Sequence, residues 1–199
     1  MQITRMEPVK GRGRKFRIYL NDEPAFLLYA SDIAEYKLAG GQELAPDTLA
    51  EIYSAVLLRR AKLRCMYILK TMDKTEGQLR RKLKEEEYPD PVIDGALDFI
   101  KSFNYVNDLR YSMNYMESRQ TSKSRQQITA ELRNRGVSPE VIEQAWENSG
   151  TAGDENAIRH WIEKKKFNPE TCSEEEKGKF IAFLQRKGFL YRDIKKTLT

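Results

Sequence analysis

The chain has 199 residues, of which 33% are charged and 40% apolar, and 35 Lys and Arg against 30 Asp and Glu leave a net charge of +5. Such a composition describes a soluble globular chain of one or two domains. It has no apolar run near the roughly 20 residues that cross a bilayer, and Met1–Arg5 leads into polar sequence rather than a secretion signal, so a cytoplasmic protein without membrane contact is expected.

Ile3–Val9 reads as a strand, and Phe16, Ile18 and Leu20 alternate with Arg17 and Tyr19 at the period of a second. Asn21-Asp22-Glu23-Pro24 is turn chemistry, and Ala25–Tyr29 reads as a third short strand. A meander this small needs a helix across one face. Ser31-Asp32 through Leu38 is placed to supply it, with Gly40-Gly41 as the C-terminal stop. Gly11-Arg12-Gly13-Arg14-Lys15 sets glycines beside cations, but no Gly-Lys-Ser/Thr follows, so it reads as a hairpin loop and not as a phosphate cradle. From Pro46 to about Met72 the pattern is helical. Leu49, Ile52, Tyr53, Val56 and Leu57 share a stripe that Leu63, Met66, Tyr67 and Leu69 continue with some drift, and Asp47 is the expected cap.

The remainder repeats itself. When residues 75–97, 124–146 and 176–198 are superposed, Leu83, Leu132 and Leu184 coincide, with Leu79, Ile128 and Phe180 one helical turn earlier. Tyr88, Val137 and Phe189 follow, then Ile93, Ile142 and Ile194, then Leu97, Trp146 and Leu198. This is a helix, a tight turn and a second helix, in three copies. Gly136 and Gly188 mark the turn where the first copy has Glu87; Pro91 and Pro139 fall where they open the second helix, and Tyr191 stands there in the third copy. Thr75 with Gln78, Ser124 with Gln127 and Ser173 with Glu176 have capping-box spacing. A further helix precedes each pair, with Tyr67, Tyr115 and Trp161 as aromatic anchors. Such units bury too little alone and stack on their neighbours.

The expected fold is therefore mostly α: three tandem three-helix repeats forming an elongated curved body after a small β-containing segment. The boundaries expected are 1–45 for that segment with its short helix, then 46–108, 109–150 and 151–199 for the repeats.

Catalytic chemistry finds little support. Cys65 and Cys172 have no metal-binding spacing, and His160 is the single histidine, which argues against a disulfide framework, a cysteine zinc site and most triads. Glu85-Glu86-Glu87 and Glu174-Glu175-Glu176 are consecutive, so their carboxylates fan around a helix instead of converging. No enzyme activity and no cofactor are expected. A helix pair with a glycine turn also describes a DNA-reading motif. The second helices of copies one and two are acidic, however, and would be repelled by phosphate, whereas Arg192, Lys195 and Lys196 leave the third copy open. The first helices are basic: Arg80, Arg81, Lys82 and Lys84 surround one buried pair, Arg133 and Arg135 follow Leu132, and Arg186 and Lys187 follow Leu184. A positive edge along the stacked units is the candidate binding surface, weighed against an ordinary solvated face.

Three segments together resemble the RecX family, bacterial modulators of the RecA recombinase: Lys74–Leu83, Phe103–Ser112 and Ile128–Val137. Thr75 stands where the family pattern has serine, Gln78 for glutamate, Asn104 for glycine, Asn107 for the first aspartate and Ser112 for alanine. The resemblance covers about residues 60–199. It implies a monomer that binds the RecA filament on DNA and restrains its ATP hydrolysis and strand exchange, in recombination and repair. Single- or double-stranded DNA would be a weak, non-specific partner. Tyr105, Asp108 and Arg110 are assigned to the joint between the first two units, with Asp108 capping the next helix. The alternative is a non-specific DNA-binding protein acting independently of RecA; a nuclease is a more distant rival.

Overall fold

The structure is a computed structural model that describes residues 1–10, 14–150 and 153–199. It divides into two compact units, Met1–Val106 and Asn107–Thr199.

The first unit opens with strands β1 (Ile3–Val9), β2 (Lys15–Leu20) and β3 (Glu23–Tyr29), which form an antiparallel sheet in chain order. The turn between β2 and β3 is only Asn21 and Asp22, both at positive φ, the conformation that a two-residue hairpin of right-twisted strands demands. Glu23 and Pro24, expected in the turn, therefore belong to β3, where they pair with Leu20 and Tyr19. Of the glycine–arginine loop, residues 11–13 lie outside the described residues; Arg14 is exposed and Lys15 opens β2. Helix α1 is Ala30–Glu35, shorter than the sequence implies. Lys37 takes the left-handed conformation (φ 49°) just after it, so the helix stops well before Gly40-Gly41, and Leu38 is buried beyond its end.

Helix α2 (Pro46–Glu51) is capped by Ala45 with Pro46 at its first position, leaving Asp47 inside the first turn rather than at the cap. It runs without a break through a π-helical stretch, Ile52–Leu58, into α3 (Arg59–Thr71). The π stretch corrects the sequence reading. A π turn accommodates one extra residue and so shifts by one position which residues of the following helix face the core, compared with uninterrupted α spacing. Ala61 and Cys65 are fully buried as a result, with Ile68 and Leu69 partly so, whereas Leu63, Met66 and Tyr67 are 59%, 42% and 65% exposed. Tyr67 is thus not a core anchor. The sheet, the segment 46–71, α4 (Glu76–Glu85) and α5 (Asp90–Ser102) share one core, in which Phe26 meets Tyr53 edge-on at 5.6 Å.

The second unit holds α6 (Asp108–Arg119), α7 (Arg125–Asn134), α8 (Pro139–Ser149), α9 (Glu155–Lys165), α10 (Glu174–Arg186) and α11 (Tyr191–Leu198). Asn107, not Asp108, caps α6, its side chain accepting from the Arg110 N–H at 2.9 Å; Asp108 is the first residue of the helix. The repeat is realised in full. Leu83, Leu132 and Leu184 have no exposed surface, and each lies in a separate core with the partners superposition gives it. Thr75, Ser124 and Ser173 all close capping boxes. After each first helix, Tyr88, Val137 and Phe189 donate their N–H to the carbonyls of Leu83, Leu132 and Leu184 at 3.1–3.2 Å. The residue before each is left-handed: Glu87, Gly136 and Gly188 at φ 60°, 83° and 80°. Glu87 tolerates this strain where β2 reaches it, since Arg17 grips its carboxylate with two 2.5 Å hydrogen bonds.

Inside the second unit, the start of α7 locks onto the third repeat. Ser124 Oγ donates to the Lys187 carbonyl at 2.7 Å, the Arg125 N–H donates to Asp154 at 2.8 Å, and Trp161 Nε1 donates to the Ser122 carbonyl at 2.9 Å. A Cβ on Gly188 would lie 2.8 Å from Gln126 Oε1 and 2.9 Å from Ser124 Oγ. Glycine is required there twice, by backbone conformation and by space.

Candidate functional site

The eleven cations of the expected edge lie on first helices, on the turns that end them and on α11, and most are engaged within their own repeat. On α4, Arg80 reaches Asp94 of α5 at 2.7 Å, Lys84 reaches Asp90 at 3.1 Å, and Lys82 pairs with Glu85 at 3.0 Å, while Arg81 is exposed. The acidic second helix thus neutralises part of the basic first helix beside it. Arg125 and Glu143 repeat the device between α7 and α8 at 3.2 Å.

Arg135 and Lys187 stand at equivalent places, three residues after the anchor leucine, and both lie over aromatic rings. Arg135 donates to the Tyr111 hydroxyl at 2.8 Å with its guanidinium 4.6 Å from the Tyr115 ring centre. The Lys187 ammonium is 4.4 Å from the Trp161 ring. Tyr115 and Trp161 are the aromatic anchors of α6 and α9, so these two cations brace their own repeats. The first copy has Glu86 at that place, and Arg64 of α3 pairs with it at 2.7 Å. Arg192 pairs with its neighbour Asp193 at 3.3 Å, and Lys196 with Glu155 of α9. Lys196 holds the Glu155 carboxyl below the ordinary carboxylate range. Among the described residues, Arg133, Arg186 and Lys195 are exposed and have no carboxylate partner.

The carboxylates behave as their spacing predicts. Glu85, Glu86 and Glu87 turn to three different partners, Lys82, Arg64 and Arg17. Glu176 is held low by the Ser173 N–H and hydroxyl it caps. Among the described residues no cluster of His, Cys, Asp or Glu has the arrangement to hold a metal ion, and no helix is long and apolar enough to cross a membrane. Cys65 is buried, its thiol pushed up to about 11 by burial, and Cys172 is half-buried. Lys164, Lys165 and Lys166, at the end of α9, carry no distinctive signal in the sequence, because a cation run closing a helix is the ordinary complement of its dipole.

With this geometry in hand, comparison with known proteins decides the family. Three models match in order: the RecX first three-helix domain at residues 61–99, the second at 107–145 and the third at 153–198. The regulatory protein RecX of Caldanaerobacter subterraneus subsp. tengcongensis is 30% identical over 200 residues, covering all of this chain and 98% of that protein. The chain belongs to the RecX family. Another relative, the regulatory protein RecX of Clostridium beijerinckii, is 27% identical across 94% of this chain and 90% of its own length. A crystal structure of regulatory protein RecX superposes with a TM-score of 0.64 at 22% identity, covering 98% of each chain. One of RecX from Lactobacillus salivarius gives 0.65 at 18%, over 72% of this chain and 96% of that one. At those identities the structures speak for the fold, a RecX architecture whose three domains are the repeats α3–α5, α6–α8 and α9–α11.

Proposed function

We propose that this chain is a non-catalytic cytoplasmic regulator that binds the RecA filament on DNA and lowers its ATPase and strand-exchange activities. What carries the reading is membership of a family whose relatives are named regulatory proteins, in a chain that spans nearly their full length. The arrangement of repeats supports it. Each keeps its own apolar core, so the outward side chains of three similar units are free to meet the repeating surface of a polymer. Contact falls to Arg80, Arg81, Lys82, Lys84, Arg133, Arg186, Arg192, Lys195 and Lys196, with Arg135 and Lys187 shaping the surface from their ring contacts. Acidic and phosphate groups of a nucleoprotein filament complement them. Binding one filament state better than another shifts the population toward it, and inhibition requires that the preferred state hydrolyse ATP slowly.

The test is the ATPase of the cognate recombinase on single-stranded DNA while this chain is titrated in. Turnover is expected to fall to a plateau at substoichiometric to stoichiometric chain; turnover independent of the chain overturns the reading.

A further inference from the structure

Where the sheet meets the first repeat, the first unit holds an open cleft of about 630 Å³ walled by β3, α3 and the turn that follows α4. Leu28 and Leu57 are buried parts of its lining, whereas Leu63 and Tyr67 border it at 59% and 65% exposure. Most charges in the cleft are already matched. Arg60 forks onto Asp32, Arg64 onto Glu86 and Arg17 onto Glu87. Lys15 is the exception: its ammonium lies 5.1 Å from the Tyr29 ring centre and has no carboxylate partner among the described residues. The hydroxyls of Tyr29, Tyr67 and Tyr88, which also line the cleft, have no hydrogen-bond partner among the described residues. Burial, with Glu86 adding to it, pushes Tyr88 up to about 12, so its hydroxyl remains a donor. Tyr67 is shared with a second open cleft of about 480 Å³, lined also by Met66, Leu69 and Tyr105, where Lys70 and Asp73 leave no net charge. Arg60 to Lys70 spans about 15 Å of helix, the length of about five residues of extended chain. Lys15, Tyr29, Leu57 and Arg60 all precede residue 61, where the match to the first three-helix domain begins.

We propose that the two clefts form one groove for the carboxyl terminus of an apolar peptide of a protein partner. Its carboxylate is held by Lys15 and the Tyr29 and Tyr88 hydroxyls, its last side chain by Leu57, Leu63 and Tyr67, and the preceding residues cross Tyr67 toward Met66 and Tyr105. Hydroxyl donors without acceptors and a single uncommitted cation complement one carboxylate on an apolar body. A phosphate dianion or an acidic run brings more negative charge than Lys15 alone can match, beside Glu86 and Glu87. A small aromatic acid fills the first cleft and leaves the second empty. The site goes beyond filament control, because it needs neither DNA nor recombinase, and it gives the strands and the first repeat a shared task.

The experiment uses the full chain without recombinase. An array of random hexapeptides with free carboxyl ends, and its amidated copy, is probed with the labelled chain, and the strongest ligand is titrated by fluorescence anisotropy. The retained peptides are expected to end in a bulky apolar residue, and amidation should weaken the strongest roughly tenfold, the loss of hydrogen bonds to a charged group. Lys15→Gln should remove the difference between free and amidated ends. Tyr67→Ser, at an exposed position that leaves the core intact, should weaken both forms alike. No retained peptide, equal retention on the two arrays, ligands dominated by Asp and Glu, N-acetylphenylalanine binding as tightly as the hexapeptide, or Lys15→Gln without effect on the preference would each overturn the site.

Discussion

Single residues in this protein decide between conformations that neighbours could not replace. Gly188 is one: an alanine there meets both a left-handed backbone and the oxygens of Ser124 and Gln126. Gly188→Ala is expected to cost about 2 kcal/mol, against about 1 kcal/mol for Gly150→Ala, whose φ of 61° is strained but whose Cβ meets nothing within 4 Å; urea midpoints of the two variants check the order. Asp32 is another. Burial alone would raise its carboxyl, but the two hydrogen bonds from Arg60, at 2.6 and 2.8 Å, and one from the Tyr29 N–H outweigh burial and hold it below the ordinary range. A carboxyl whose folded pKa lies below its unfolded value stabilises above the unfolded value, about 3.9, and that stability is lost as pH falls toward the folded one. Asp154 has the opposite sign. Its burial outweighs the Arg125 N–H, its pKa is raised, and the ionised form costs stability as pH rises through the carboxylate range. Asp32→Asn should therefore cost about 2 kcal/mol at neutral pH, below the full value of a broken buried pair because the Arg60 side chain is 26% exposed. It should also flatten the loss between pH 5 and 3, read from chemical unfolding at each pH. Asp154→Asn should leave that acid-side loss in place.

At the scale of elements, the π stretch at Ile52–Leu58 governs which face of α3 is buried. Deleting Ala55, an exposed residue within it, removes the extra residue and is expected to restore α-helical spacing with Cys65 still buried. Cys172 alone is expected to react with a thiol reagent, in the unaltered protein and in the deletion variant alike, and a reactive Cys65 in the variant would deny the π stretch its role. This is also where the sequence was least legible. Leu63, Met66 and Tyr67 carry helical spacing, and periodicity has no means of signalling an inserted residue in a continuous helix. What it did carry was the repeat, because five apolar positions, three capping boxes and two turn glycines all constrain the same register. Caps distinguished only by one residue, such as Asn107 against Asp108, were read one place off, since either side chain can accept the bond and only backbone geometry selects between them. The edge cations were legible as a list but not as a surface. Several of their acidic partners lie on neighbouring helices, and the rings of Tyr115, Tyr111 and Trp161 that meet Arg135 and Lys187 are 20 to 26 residues away in sequence. Ser124 shows how an element end gains a second duty: it caps α7 and also donates to the Lys187 carbonyl. Ser124→Ala should cost about 2 kcal/mol and Ser173→Ala, with a cap alone, about 1 kcal/mol, both by thermal unfolding.

For the whole molecule, the family assignment and three separate cores describe a chain built by repetition, and regulation of a repeating polymer is the function such a chain suits. That claim rests on preference for the filament over its naked DNA. The most direct measurement is the dissociation constant of this chain for preformed RecA filament and for bare single-stranded DNA, each across a range of salt. The account predicts tighter binding to filament at every salt concentration, with affinity that weakens as salt rises and an exposed-cation variant, Arg81→Glu with Arg133→Glu, that binds filament more weakly. Equal affinity for filament and bare DNA would contradict it and leave a DNA-binding protein that works without the recombinase.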